Sequence, residues 1–152
     1  MGVPVTTAAT LLLCALGSPA QSQVAQPRPD QAAFREIFKE LVETNTTLSS
    51  GSCTLAAERM AARLKAAGFT DRQLTLFATP DHPKEGGLVA VYRGTPAPDK
   101  PLLLIAHIDV VEARREDWTR DPFTLFEENG YFYARGTSDV KSLAGTWVDT
   151  LI

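Results

Sequence analysis

The sequence predicts an α/β fold, in which helices pack against a sheet, and three observations lead to this prediction. Apolar residues recur at helical spacing both early and late in residues 31–152. Short segments with strand character lie between those helical patterns. Residues 102–106 form an uninterrupted apolar run, which is typical of a central parallel strand buried on both faces. Helices and strands combined in this way form the layers of an α/β domain.

Two amphipathic helices are predicted in the first half of the chain. The first covers residues 31–43, with Asp30 as a plausible N-cap. Its apolar face consists of Phe34, Ile37, Phe38, Leu41 and Val42. Residues 44–52 are polar and predict a loop. The second helix covers about 54–67 and ends at Gly68, because glycine readily adopts the left-handed conformation that terminates helices.

Strands follow the second helix. Short strands are predicted at 74–78 and 88–92, separated by a loop that contains His82, which we expect to be exposed. A turn at 95–101 then leads into the buried strand at 102–109. A charge left unpaired in a dry interior is costly in free energy. The His107 and Asp109 side chains at the end of this strand are therefore expected to have a partner or a functional role.

The last elements are a hairpin and a helix. Asn129-Gly130 suits a type I′ turn and predicts a hairpin over residues 123–133. A helix then opens near Ser138, with Thr137 or Ser138 as its cap. The helical pattern is still running at Ile152, so we expect the sequence to be truncated there.

The beginning of the chain predicts export. Residues 1–20 are uncharged and largely apolar, and they end in Ser18-Pro19-Ala20, which is typical of a cleaved signal peptide. We therefore expect a signal peptide at 1–20, a linker at 21–30, an incomplete catalytic domain at 31–152, and a periplasmic or secreted product. The alternative is an apolar tail on a cytosolic protein.

Composition excludes several classes of partner. The formal net charge of −3 gives no basis for binding nucleic acid. The apolar run in residues 1–20 is too short for stable membrane insertion. Cys53 is the only cysteine beyond residue 20, so this part of the chain has no internal disulfide, and we expect the thiol to be buried rather than reactive.

His107 and Asp109 carry the first chemical signal. Two residues apart on a strand, they leave the same face, while Ile108 packs on the opposite face. Asp109 could hold one imidazole nitrogen of His107 and leave the other free for a metal. Ligands bind at the carboxyl ends of strands in open α/β sheets. Taken alone, the pair could equally be a structural hydrogen bond.

Asp139 carries the second signal. It lies in residues 134–142, where Gly136 permits a tight turn, and we expect it in the first turn of the last helix. The helix dipole favours a carboxylate there, from which it could point into a cleft at the sheet end. In the alternative interpretation Asp139 only stabilises the helix.

Four motifs in order resemble a known family. They are HIDVV at 107–111, W-x-x-D-P-F at 118–123, N-G-Y-F-Y at 129–133 and R-G-T-S-D-V-K at 135–141. The sequence resembles the N-terminal part of the zinc metallopeptidases that include aminoacylase, acetylornithine deacetylase, succinyl-diaminopimelate desuccinylase and the glutamate carboxypeptidases. Ala134 and Ser142 stand where that family usually has glycine.

The resemblance implies a site and a fold. His107 would be a zinc ligand, Asp139 a carboxylate that bridges two zinc ions, and Asp109 the catalytic-site aspartate that orients His107. Co²⁺ or Mn²⁺ could substitute for Zn²⁺, the substrate would be a small peptide or N-acyl amino acid, and the full-length form could be a homodimer. The fold would be the N-terminal part of a three-layer α/β/α catalytic domain. The lid domain, the general-base Glu and the other ligands would lie downstream.

Two functions are compatible with these residues. The first is a dinuclear zinc hydrolase, represented here by an N-terminal piece that is inactive alone. The second is a non-catalytic α/β binding module that retains the family signature. A serine hydrolase that uses the His107–Asp109 pair is a distant third, because no G-x-S-x-G motif occurs.

Overall fold

A computed structural model of the protein describes Gly2 and residues 28–94 and 100–152. The predicted signal peptide, apart from Gly2, lies outside the described residues, as do most of the predicted linker and residues 95–99. The elements in chain order are α1 (Pro29–Glu43), α2 (Cys53–Ala66), β1 (Leu74–Thr79), β2 (His82–Ala90), β3 (Phe126–Glu128), β4 (Tyr131–Tyr133) and α3 (Lys141–Leu151). Short 3₁₀ turns occur at Asp71–Gln73 and Arg115–Asp117.

Helix α1 packs into the core through the apolar face that its spacing predicted, with Ile37, Phe38, Leu41 and Val42 buried. Ile37 and Leu41 pack with Ala56 and Met60 of α2 and with Ala144 of α3. The adjacent side of α1 forms a second cluster, in which Phe38 and Val42 pack with Ala134 and contact Phe34, Leu125 and Phe132. One helix therefore joins α2 and α3 to the hairpin region.

The predicted N-cap of α1 is wrong by two residues. Arg28 is the N-cap, Pro29 occupies the first turn, and Asp30 is already helical. Proline suits this position because the first helical N–H groups have no intrahelical acceptor. Asp30 instead pairs with the Arg28 guanidinium at 2.8 Å.

Helix α2 begins and ends close to its predicted bounds. The Ser52 hydroxyl accepts a hydrogen bond of 3.1 Å from the Leu55 N–H, which is the usual way to satisfy a free donor at a helix start. Gly68 has a φ of 104°, as expected for a residue that terminates a helix in the left-handed region.

Strands β1 and β2 form an antiparallel hairpin that is longer than predicted. The segment predicted as a loop, 79–87, is mostly strand, because β2 begins at His82 and pairs back along β1 from Thr79 to Leu74. Gly87 belongs to the strand because a Cβ there would lie 2.6 Å from the Phe77 ring. Glycine at this position lets the Phe77 ring pack closely against the backbone, and no turn requires it. His82 is exposed, as predicted, although it is not in a loop.

The second hairpin confirms its sequence prediction. Strands β3 and β4 pair antiparallel, with Phe126 opposite Tyr133. Asn129 and Gly130 have φ values of 53° and 80°. Positive φ at both central residues is the requirement of a type I′ turn, which Asn-Gly meets at low cost.

Helix α3 begins three residues later than predicted. Its N-cap is Val140, and neither Thr137 nor Ser138 caps it. The Thr137 hydroxyl instead donates to the Ala134 carbonyl at 3.0 Å, which holds residues 134–137 in a turn of their own. Asp139 therefore lies in a turn before α3, and its predicted position in the first helical turn is wrong.

The predicted buried strand at 102–109 is also wrong. No strand is assigned to these residues, and Leu102, Leu103 and Ile105 are 85%, 77% and 72% exposed. Ala106 and Ile108 do pack against the core, so one face of the segment is covered. A strand buried on both faces needs hydrogen-bonded neighbours, and the described residues place none beside it.

The described residues thus form a mixed helix and strand structure, consistent with the α/β class. They contain two antiparallel two-stranded sheets and no parallel pairing. None of the described helices has the length and apolar character needed to cross a membrane.

Candidate functional site

The segment that carries His107 and Asp109 is extended, with alternating faces. Ala106, Ile108 and Val110 point inward, while His107 and Asp109 share the open face. This arrangement matches the predicted side-chain alternation even though the segment belongs to no sheet.

His107 lies between two carboxylates. Its Nδ1 is 3.2 Å from Oδ1 of Asp109, and its Nε2 is 3.3 Å from Oδ1 of Asp139. The two ring nitrogens lie on different edges of the imidazole, so the carboxylates approach it from different sides. The structure thus brings together all three residues singled out in the sequence.

These side chains are open to solvent. Those of His107, Asp109 and Asp139 are 51%, 70% and 82% exposed. Exposed ion pairs contribute only about 0–1 kcal/mol to stability. The cluster therefore adds little to the free energy of folding, and its arrangement must come from the backbone that carries it.

A tight turn presents Asp139. Gly136 in this turn has a φ of 91°, and a Cβ there would lie 2.9 Å from Cγ1 of Val110 and 3.0 Å from Cδ of Lys141. Only glycine permits both this φ and this approach. The turn before α3 is therefore pressed directly against the segment that carries Asp109.

Lys141, for which the sequence predicted no role, is fully buried. Its ammonium donates to the Leu41 carbonyl at 2.9 Å and to the Thr44 carbonyl at 2.8 Å. Burial lowers the pKa of Lys141 to about 8, while the nearby Cys53 and Asp109 side chains act in the opposite direction. A cation is favourable at the carboxyl end of a helix, where carbonyls lack intrahelical donors. The only sequence signal was its place in the R-G-T-S-D-V-K motif.

Cys53 is half-buried, whereas the sequence predicted a buried thiol. Partial burial raises its pKa, and the negative charge of Asp109 raises it further. A raised pKa leaves little thiolate near neutral pH, and the thiolate is the reactive form.

An open apolar groove of about 2000 Å³ runs beside the site. Strand β2 and residues 100–110 line it, together with parts of α2 and α3. The exposed side chains of Leu103 and Ile105 are among the lining residues, as is His107.

The donor chemistry fits zinc in part. Imidazole nitrogen and carboxylate oxygen are both common zinc ligands, and Nε2 of His107 and Asp139 present them side by side. Asp109 faces the other ring nitrogen, so it does not add to the same ligand set. Accordingly, residues 28–94 and 100–152 contain no group of three or more His, Cys, Asp or Glu side chains placed to hold a metal.

Comparison with known proteins gives matches in the same region. Residues 103–151 match the sequence profile of Peptidase family M20/M25/M40. The chain is 44% identical over 86 residues to a succinyl-diaminopimelate desuccinylase from Ralstonia pickettii, covering 55% of this chain and 22% of the relative.

Two further relatives carry other names. An acetylornithine deacetylase from Erwinia tasmaniensis is 30% identical over 118 residues, covering 78% of this chain and 30% of the relative. Aminoacylase-1 from Mus musculus is 38% identical over 64 residues, covering 41% of this chain and 16% of the relative.

The alignments to these three relatives span less than a third of each relative's length. The matched segment, 103–151, contains His107, Asp109 and Asp139. It also covers the four motifs that carried the sequence resemblance. Residues 103–151 therefore carry the sequence pattern of Peptidase family M20/M25/M40.

Proposed function

We propose that this chain is the N-terminal part of a dinuclear zinc hydrolase that cleaves the amide bond of a small peptide or N-acyl amino acid. The observation that carries the proposal is the position of the His107 imidazole between the carboxylates of Asp109 and Asp139. The names of the relatives support the reaction class, since they include a desuccinylase, a deacetylase and an aminoacylase.

Each residue has a distinct role in this proposal. His107 would hold one zinc ion through Nε2, and Asp139, which has two carboxylate oxygens, would bridge both ions. Asp109 would accept the Nδ1 proton, which fixes the imidazole tautomer and leaves Nε2 unprotonated. When bound, the two ions would acidify water and polarise the substrate carbonyl. Co²⁺ or Mn²⁺ would be substitutes.

The remaining parts of the site would come from polypeptide beyond residue 152. Enzymatic zinc sites normally use three protein ligands, and the residues identified here supply two. We propose that the other ligands, the general base, the rest of a three-layer α/β/α domain and the lid domain lie downstream. A chain ending at Ile152 would then bind zinc weakly and hydrolyse nothing.

The cellular setting is also a proposal. A signal peptide cleaved after Ala20 would give an exported product that begins at Gln21, and a homodimer would be compatible with the full-length form. Mass spectrometry of the periplasmic or secreted product would test the first point. Finding intact Met1 in a cytosolic pool would contradict export.

One observation favours a second candidate, a non-catalytic binding module. The residues singled out in the described part of the chain supply two zinc ligands, while a large apolar groove lies open beside them. Such a module would keep the fold and act through its surface. It would bind no metal at His107 in any form of the protein.

The deciding experiment compares this chain with the full-length product of its reading frame. Metal content and hydrolysis of a panel of N-acyl amino acids and dipeptides would be measured side by side. The hydrolase proposal expects about two zinc ions and turnover only in the full-length protein. Turnover by this chain alone would show that the ligand count is wrong. Full-length protein without metal or turnover would favour the binding module.

A further inference from the structure

The two halves of the candidate site are attached to the same short stretch of chain. The segment that carries His107 and Asp109 contacts Thr46, and the segment that carries Asp139 is anchored through Lys141 to the end of α1. We call residues 41–46, which include the last turn of α1 and the start of the following loop, the α1 end.

Thr46 holds the backbone on both sides of Asp109. Its hydroxyl donates to the Ile108 carbonyl at 2.6 Å, and its carbonyl accepts from the Val110 N–H at 3.2 Å. Thr46 is 1% exposed, so this pair of hydrogen bonds is shielded from water. Because the two bonds flank Asp109, they restrict the direction in which its side chain leaves the backbone.

Lys141 holds the other half. Its ammonium donates to the carbonyls of Leu41 and Thr44, which lie in the α1 end together with Thr46. Lys141 follows Asp139 by two residues, so this anchor fixes the end of the turn that presents the carboxylate. Gly136 presses the same turn onto Val110.

We propose that the α1 end is the positioning frame of the candidate site, and that Thr46 is the positioning residue for His107 and Asp109. Thr46 and Lys141 together set the separation between the His107 imidazole and the Asp139 carboxylate. The inference rests on the proposed function for its metal-binding consequence. The restraint that Thr46 places on the backbone can be tested whether or not the proposed function is correct.

The chain offers a matched control for Thr46. Thr47 is also buried, at 4% exposure, but its hydroxyl pairs with Asn45 at 2.8 Å and Ser50 at 3.2 Å within its own loop. Thr46→Val and Thr47→Val each remove one buried hydroxyl with little change of shape. Only Thr46→Val removes a contact to the segment that carries His107, and Thr46→Ser retains it.

The test uses three measurements on the full-length protein and its Thr46→Val, Thr46→Ser and Thr47→Val variants. Amide hydrogen exchange at Val110 needs no metal and reports how often its bond to the Thr46 carbonyl opens, which the neighbouring bond from the Thr46 hydroxyl to Ile108 is expected to limit. Co²⁺ affinity, followed by visible absorption, reports the ligand geometry. The separate values of kcat and KM report positioning during turnover, and thermal melting reports general stability.

Thr46→Val is expected to speed Val110 exchange and to weaken Co²⁺ binding about tenfold or more, the scale of outer-shell changes at metal sites. It should lower kcat more than it raises KM. Thr46→Ser should restore most of the lost affinity. Thr47→Val should stay within about twofold of wild type, well below the losses of about 10–100-fold that follow changes around metal ligands.

Unchanged Val110 exchange in Thr46→Val would overturn the inference, as would equal losses of Co²⁺ affinity in the two valine variants. If wild type binds no Co²⁺, the proposed function fails, and the exchange of Val110 still decides whether Thr46 restrains this segment. The two failures are therefore distinguishable.

Discussion

The Nε2 atom of His107 lies 3.3 Å from Oδ1 of Asp139, although the two residues belong to different segments of the chain. An exposed pair of this kind adds little stability, and the proposed function assigns it a chemical role instead. In the full-length protein, His107→Ala or Asp139→Ala is expected to abolish hydrolysis and to lower metal content. His82→Ala is the control, because His82 is also exposed and pairs with Glu85 away from the site. Full activity in His107→Ala would contradict the assignment.

Asp109→Asn is expected to act more mildly on metal content than on turnover. The amide retains the shape of the carboxylate but holds the Nδ1 proton of His107 less strongly. Losses of about 10–100-fold are typical when such a partner is changed. Metal analysis and kcat measured on the same preparation would check this. Complete loss of metal would mean that Asp109 is itself a ligand.

Gly136→Ala is expected to damage both folding and the site. The residue would be strained at a φ of 91°, and its Cβ would press on Val110 at 2.9 Å. Gly130→Ala is a matched control, because Gly130 also has positive φ, at 80°, with no atom within 4 Å of an added Cβ. Positive φ costs a non-glycine residue about 1–2 kcal/mol, so any larger loss in Gly136→Ala measures the close approach. Denaturant unfolding of the two variants gives the difference, and equal losses would contradict this account.

Alkylation of Cys53 is expected to be slow at neutral pH and to accelerate as the pH rises. Burial raises the pKa of the thiol above its usual value of 9.0, so the thiolate forms only in more alkaline solution. Because the Asp109 charge also raises this pKa, Asp109→Asn should shift the rate profile toward lower pH. Iodoacetamide rates followed by mass spectrometry would show this. A rate that levels off below pH 8 would contradict the burial account, since a raised pKa keeps the thiol protonated there.

The isolated chain is expected to associate through the groove. Leu103 and Ile105 are 77% and 72% exposed there, and large apolar patches of this kind promote association. Leu103→Asp with Ile105→Asp should reduce both oligomer formation and binding of an apolar dye. Tyr131→Asp is the control, since Tyr131 is 68% exposed and does not line the groove. Light scattering would report the change, and a monodisperse wild-type monomer would contradict the prediction.

The features predicted well from sequence were local ones. The spacing of Ile37 and Leu41 is enough to place the buried face of α1, and Asn129-Gly130 is enough to place a type I′ turn. Both depend on residues a few positions apart. The spacing of His107 and Asp109 also predicted their common face, because that alternation belongs to any extended chain.

The features predicted poorly depend on distant partners. A buried strand at 102–109 requires neighbours, which no pattern within the segment can supply. Gly87 fell in the loop predicted between two strands, and the Phe77 ring that packs against it belongs to another strand. Lys141 was overlooked because lysine is usually exposed, and the carbonyls that hold it, such as that of Leu41, lie far away in the sequence.

Because Lys141 is completely buried, the rate at which an amine reagent labels it can report local opening of the structure. An acylating reagent needs an accessible amine, and the Lys141 Nζ is both enclosed and committed to two carbonyls. The more exposed amines, such as that of Lys65, should be labelled first. Labelling of Lys141 would then occur only when α3 separates from the end of α1, so its rate in a mass spectrum would time that opening. The labelling rate of this single lysine would therefore measure how often the region that carries the candidate site opens.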